Sequence, residues 1–228
     1  DKTYDLYFHL LSLITEVARY AEERQETAKR KKLPTFEDLN PNRKFVDNAV
    51  VALLSHSDTV NDYNASHKLS WARFPELIKT LFEQLERSDY YKKYMASSEH
   101  SFREDLSLVV DFYSNELEES EMLEDVLDEE SILWNDDLGF VLAMVIRTLS
   151  GIRQSHRDVK VMPEFKNPDD LLFAKELFAK AALNFDEHLQ YIEKFTRNWD
   201  VERIAFMDNL IMVTAMTELI SFPSIPVK

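Results

Sequence analysis

Residues able to do chemistry are few in this chain, and the densest group is Glu124-Asp125-Val126-Leu127-Asp128. On a helix, Glu124, Asp125 and Asp128 share one side. Carboxylates so placed suit Mg²⁺, above all an ion that also holds a diphosphate. Such a site needs a companion on another helix, and Asp169-Asp170 lacks the hydroxyl and acid that should follow it. A solvated acidic face accounts for the stretch more simply. None of the six histidines has a Glu three residues before it, so the Glu-x-x-His pattern of carboxylate-bridged di-iron bundles is absent. His100 and Glu104 share a helix face with nothing to join them, which reads as an exposed pair. The serines have no elbow glycines around them and no suggestive His spacing, and His188, near Asp186 and Tyr191, reads as a boundary side chain rather than a base. The expectation is no catalytic residue, no metal and no cofactor.

Composition points the same way. The 228 residues include two glycines and no cysteine. So little glycine disfavours sandwiches, barrels and doubly wound sheets, and with them phosphate-cradling loops. The absence of cysteine excludes disulfides and thiolate-bound zinc. No signal-peptide pattern and no charge-free apolar run of membrane-spanning length is present, so no membrane span is expected. The net charge of −15 is concentrated in one block: residues 99–137 hold fifteen Asp and Glu against the single Arg103, and the rest is nearly neutral.

The elements that carry these residues read as helices throughout, in an all-α bundle of roughly nine or ten helices. Leu6, Leu10, Leu13, Ile14, Val17 and Tyr20 predict one long helix over 3–31. Thr35–Pro41 reads as a loop, and Asn42 as the start of a helix through Leu53. Asp58 to Lys68 predicts a short polar helix, and Pro75 opens another, which Tyr90–Tyr94 continues or caps. Ser98 opens a helix through Tyr113, the acidic stretch Glu116–Glu130 forms a short amphipathic one, and Asn135-Asp136-Asp137 starts one to about Arg153. His156 to Asn167 reads as a linker, marked by Pro163 within it and Pro168 directly after it. Pro168 then starts a helix, and Asn184-Phe185-Asp186 marks a break before another over His188–Thr196. The last helix, Val201 to Ile220, is apolar on nearly all sides, with Asp200 as its cap and Trp199 stapled to Ile204, and so is expected at the centre of the bundle. Asp208, a carboxylate on so apolar a helix, needs either a wet side or a partner.

A basic run, Lys29-Arg30-Lys31-Lys32, follows the first helix, with Arg24, Arg43 and Lys44 nearby. It complements the negative end of the helix dipole and could also meet phosphates, although Glu22, Glu23, Glu26, Glu37 and Asp38 are interleaved.

The C-terminal quarter carries a resemblance. Phe173-Ala174-Lys175-Glu176-Leu177, a helix to Trp199, Val201-Glu202-Arg203-Ile204, Asp208, Leu210-Ile211, Ala215, Glu218-Leu219 and Ile225-Pro226-Val227-Lys228 together resemble the NusB family of bacterial transcription antitermination factors. The resemblance covers about residues 168–228. It implies an all-α, cytoplasmic, non-catalytic RNA-binding factor. Such a factor pairs with the ribosomal protein that acts as NusE, binds boxA RNA, and enters the antitermination complex of RNA polymerase. It divides the chain into a helical elaboration at 1–160, with its acidic segment at 99–137, and a NusB-like core at 168–228. Asp208 would be a partner-binding residue, with Arg203 and Glu218 at family positions, and Lys29, Arg30, Lys31, Lys32 and Lys228 would supply weak RNA contacts. Two departures stand out: the family's Arg-rich first helix is not recognisable in 1–31, and the acidic and Asn-Gly-containing helices that follow its Ile-Pro-Lys are absent. The sequence thus lacks both family termini. The same fold also occurs as the N-terminal module of ribosomal RNA cytosine methyltransferases, but no methyltransferase domain is present. The competing readings are a generic helical interaction scaffold, and a terpene-synthase-like Mg²⁺ enzyme built on a degenerate aspartate-rich motif at Glu124–Asp128.

Overall fold

Lys2–Leu11 (α1) is buried on every side: Leu6, Tyr7, Phe8, His9, Leu10 and Leu11 are all within the core. A helix is enclosed in this way only when others surround it. The computed structural model describes residues 2–118, 120–195 and 205–225. Its architecture is an all-α multi-helix bundle, in two compact units, 1–162 and 163–228.

In the first unit Leu13–Lys29 (α2) follows α1, then Phe36–Leu39 (α3), Ala49–Ser55 (α4), Asp58–His67 (α5), Pro75–Arg87 (α6), Asp89–Ala96 (α7), Phe102–Asn115 (α8), Glu121–Glu130 (α9) and Trp134–Ser150 (α10). Helix α1 packs against α10, α5 and α2. Helix α10 packs against α8 and α9, and α2 against α6 and α4. Within this unit the central position belongs to α1.

The single helix expected over 3–31 is broken at Ser12. The cause comes from far along the chain. The Tyr113 hydroxyl donates to the Leu10 carbonyl at 2.6 Å and accepts from Ile14 N–H at 3.4 Å, so it enters the i→i−4 ladder between them. Ser12 Oγ and Trp71 Nε1 both donate to the His9 carbonyl, at 2.8 and 2.9 Å.

Capping side chains explain most other differences from the expected boundaries. Asn48, not Asn42, opens α4, its side chain accepting from Val50 and Val51 N–H. Ser88 caps α7 as a separate helix, and Ser101, rather than Ser98, caps α8. Thr35 and Asp38 form a capping box around the short α3, within a segment expected to be loop. Asp136 and Asp137 lie in the first turn of α10, which begins at Trp134 without a side-chain cap. The linker expected over 156–167 is partly anchored. Val159 is buried, and Asp158 accepts from Thr59 Oγ1 at 2.6 Å and from the Ser57 hydroxyl.

The second unit contains Pro168–Leu183 (α11), Phe185–Phe195 (α12) and Phe206–Ser221 (α13). Asn167 and Asp170 form a capping box at the start of α11, and α13 packs against both α11 and α12. The expected cap Asp200 and the Trp199–Ile204 staple lie outside the described residues; α13 is described from Phe206.

Candidate partner and RNA interface

Helix α13 buries a single stripe, Val213 and Thr217, one turn apart. Thr217 Oγ1 donates to the Val213 carbonyl at 2.8 Å and lies 3.0 Å from Nδ1 of His188 on α12. With the hydroxyl proton directed at that carbonyl, the Thr217 oxygen is placed to accept from His188 Nδ1–H. His188, expected at the boundary, is therefore buried and structural. On the other flank Phe222 meets Phe173 of α11 edge-on at 4.9 Å, and Lys180 Nζ lies 4.5 Å above the Phe222 ring.

Little else in this unit is covered. Among its described apolar side chains only Ile192 and Val213 are buried. Phe178, Leu183, Phe195, Phe206, Met207, Ile211, Leu219 and Ile220 are all more than half exposed. The expectation of a central, surrounded α13 is thus corrected: among the described residues two neighbouring helices cover one stripe, and Phe206, Met207, Ile211, Leu219 and Ile220 stay exposed. Exposed apolar surface of this extent marks a binding surface.

Asp208 is exposed in the first turn of α13, where the helix dipole favours a carboxylate, and makes no ion pair with a described residue. Glu218 is half-buried in the last turn, some ten residues further on and so about 15 Å along the axis. The two acids do not form one cluster. Arg203 and Lys228 lie outside the described residues.

The basic run is brought together at the end of α2, but half of it is spoken for. Lys29 pairs with Glu26 at 2.6 Å and Lys31 with Asp38 at 2.9 Å. Each acid responds. Lys29 lowers the Glu26 carboxyl below its ordinary range, and Asp38 is lowered first by the Thr35 N–H and then by Lys31. Arg30 and Lys32 are exposed and make no ion pair with a described residue. The neighbouring Arg43 is held by Glu22 and Asp47, and Arg24 by Glu86. The field this end of the molecule offers a phosphate is therefore small.

Two features escaped the sequence. Lys44 is buried, with its ammonium donating to the carbonyls of Tyr94 and Ser97 at 2.8 and 3.0 Å and to Glu104 at 2.9 Å. It serves the α7–α8 connection and is not available to a ligand. A cleft of about 470 Å³ opens beside the basic run, lined by Arg24, Gln25, Phe45, Phe82 and Tyr91 among others, with the Gln25 Oε1 lacking a partner. No local pattern in the sequence signals either one. Glu124, Asp125 and Asp128 sit on the exposed side of α9, and among the described residues no three His, Asp or Glu side chains are arranged to hold a metal ion. No described helix is long and apolar enough to cross a membrane.

No family model matches this chain, and no solved structure matches it significantly. The chain is similar over part of its length to the transcription antitermination protein NusB of Salinibacter ruber (strain DSM 13855 / M31), with 31% identity over 91 residues. That alignment takes in 37% of this chain and 57% of the relative, so the chain spans little more than half of that protein.

Proposed function

We propose that the chain acts in bacterial transcription antitermination, as a non-catalytic helical factor in the cytoplasm. On this reading it pairs with the ribosomal protein that acts as NusE, holds boxA-like RNA with it, and joins the antitermination complex of RNA polymerase. Residues 168–228 are the partner-binding core and 1–160 an elaboration of it. The observation that carries the reading is the open apolar surface of α11–α13 with Asp208, which makes no ion pair with a described residue, on α13. The partial similarity to NusB supports it. A basic ribosomal protein would cover the apolar side chains and meet Asp208, with Arg203 and Glu218 as further partner-facing candidates.

The RNA half follows from electrostatics. Phosphate neutralisation supplies most nonspecific affinity, and a chain of net charge −15 has little to give. Lys29, Arg30, Lys31, Lys32 and Lys228 contribute weak contacts, and the partner brings most of the cations. Anisotropy titration of boxA RNA, with and without the ribosomal protein, tests this. Affinity should rise at least about tenfold, or ~1.4 kcal/mol, with the partner present; equal affinity in both titrations rules the cooperative reading out. Asp208→Lys should weaken partner binding with helicity unchanged, and unaltered binding removes Asp208 from the interface.

A further inference from the structure

The outward face of α10 is built differently from an ordinary solvated helix face. Its inward side buries Trp134, Leu138, Val141, Leu142, Val145 and Leu149. The opposite side, from the turn before the helix onward, presents Ile132, Leu133, Asp136, Gly139, Phe140, Ala143 and Arg147, all exposed. Ile132, Leu133 and Phe140 are exposed by 80%, 54% and 66%. Between Asp136 near one end and Arg147 near the other, this face carries no charge. Soluble helices normally place charged side chains there.

Gly139 sharpens the point. It is one of two glycines in the chain and lies in the interior of α10. Its φ is not positive, so the backbone does not require glycine there. A Cβ added to it would meet nothing within 4 Å, whereas one on Gly151 would lie 3.2 Å from the Thr148 carbonyl. A glycine in mid-helix costs roughly 1 kcal/mol relative to alanine. No described residue lies close enough to exclude a Cβ there, and the recognised advantage of glycine is close approach of another backbone. Gly139 and Ala143, one turn apart on this face, carry nothing larger than a methyl, which leaves a notch in the helix surface where Phe140 follows Gly139.

Charge selects the occupant. Helix α9 packs on α10, and Asn135 Nδ2 donates to the Glu124 carbonyl at 3.1 Å. Glu121, Glu124, Asp125, Asp128 and Glu129 are exposed on α9 and, with Asp136, make no ion pair with a described residue. A second copy of the chain would bring a second acidic block against the first, which like-charge repulsion opposes. A cationic partner meets no such opposition. We infer that the outward face of α10 is a docking surface for a basic amphipathic helix of another protein, with its apolar stripe on Leu133, Phe140 and the Gly139–Ala143 notch and its Lys and Arg side chains toward α9. The inference concerns residues 132–147 and does not depend on the antitermination reading.

The chain has no cysteine, so Arg147→Cys carrying an environment-sensitive fluorophore reports from this face alone. The full chain is titrated with a Leu/Lys amphipathic peptide of about 18 residues, five helical turns, and with a scrambled peptide of the same composition. The amphipathic peptide should bind at least about tenfold more tightly. Gly139→Leu and Phe140→Ser, on the labelled background, should each weaken it by a similar factor while the far-UV CD and melting temperature hold or rise. Equal binding of the two peptides would show an acidic field without a docking site and overturn the inference. So would unchanged affinity in both variants, or a dimer in sedimentation analysis that Phe140→Ser dissolves.

Discussion

The hydroxyl of Tyr113 occupies the hydrogen-bonding gap between Leu10 and Ile14, donating to the carbonyl of one and accepting from the amide of the other. Burial pushes this phenol up from its ordinary pKa, so the group stays a neutral donor. Tyr113→Phe leaves a buried carbonyl and amide without a partner at the α1–α2 break. The expected loss is about 1–3 kcal/mol in urea denaturation. A wild-type midpoint would mean that α1 and α2 re-form one continuous helix without strain.

The pH dependence should carry the mark of His9. Its imidazole stacks on Trp71 with ring centroids 3.8 Å apart, and its Nδ1 has no hydrogen-bond partner among the described residues. Burial lowers its pKa from 6.5 to about 3. The unfolded chain therefore takes up a proton near pH 6.5 that the folded chain refuses. Stability from this group is complete above pH 6.5 and is lost as pH falls toward 3, at up to about 1.4 kcal/mol per pH unit. Denaturation at pH 7 and pH 5 should differ accordingly, and His9→Phe, which keeps a flat ring against Trp71, should flatten the difference.

Lys44 is expected to be structural. Lys44→Met removes the donor from two backbone carbonyls, and the chain should lose about 2–3 kcal/mol. Its effect on RNA affinity should be negligible. A selective loss of RNA binding at unchanged stability would instead make Lys44 part of an RNA surface.

The two units should differ in autonomy. Residues 1–162 hold the contiguous apolar core, and a fragment of that span should unfold cooperatively. A fragment of residues 163–228 should not. Among its described residues two aliphatic side chains are buried, Ile192 and Val213, and they contribute about 1.5–3 kcal/mol each, far less than the conformational entropy of ordering three helices. Thermal CD of the fragments, with and without the ribosomal protein, measures this, and a cooperative transition in the isolated 163–228 fragment would contradict it.

What the sequence decided alone is local. Scarce glycine and helical spacing determined the all-α class, and the helix starts at Pro75 and Pro168 are legible because each acts within one turn. The acidity of 99–137 and the interleaving of acids with Lys29–Lys32 were equally plain. Tertiary structure decided which helix is central. Helices α1 and α13 are both apolar enough for that position, and periodicity cannot count neighbours: within its own unit α1 acquired α2, α5 and α10, whereas α13, among the described residues of its unit, packs on α11 and α12. It also decided the break at Ser12, because Tyr113 reaches it across about a hundred residues, and the fate of Lys44, whose partners lie fifty and sixty residues away. Above all, it decided which apolar side chains stay exposed, since burial is a property of the neighbours a residue meets and not of the residue itself.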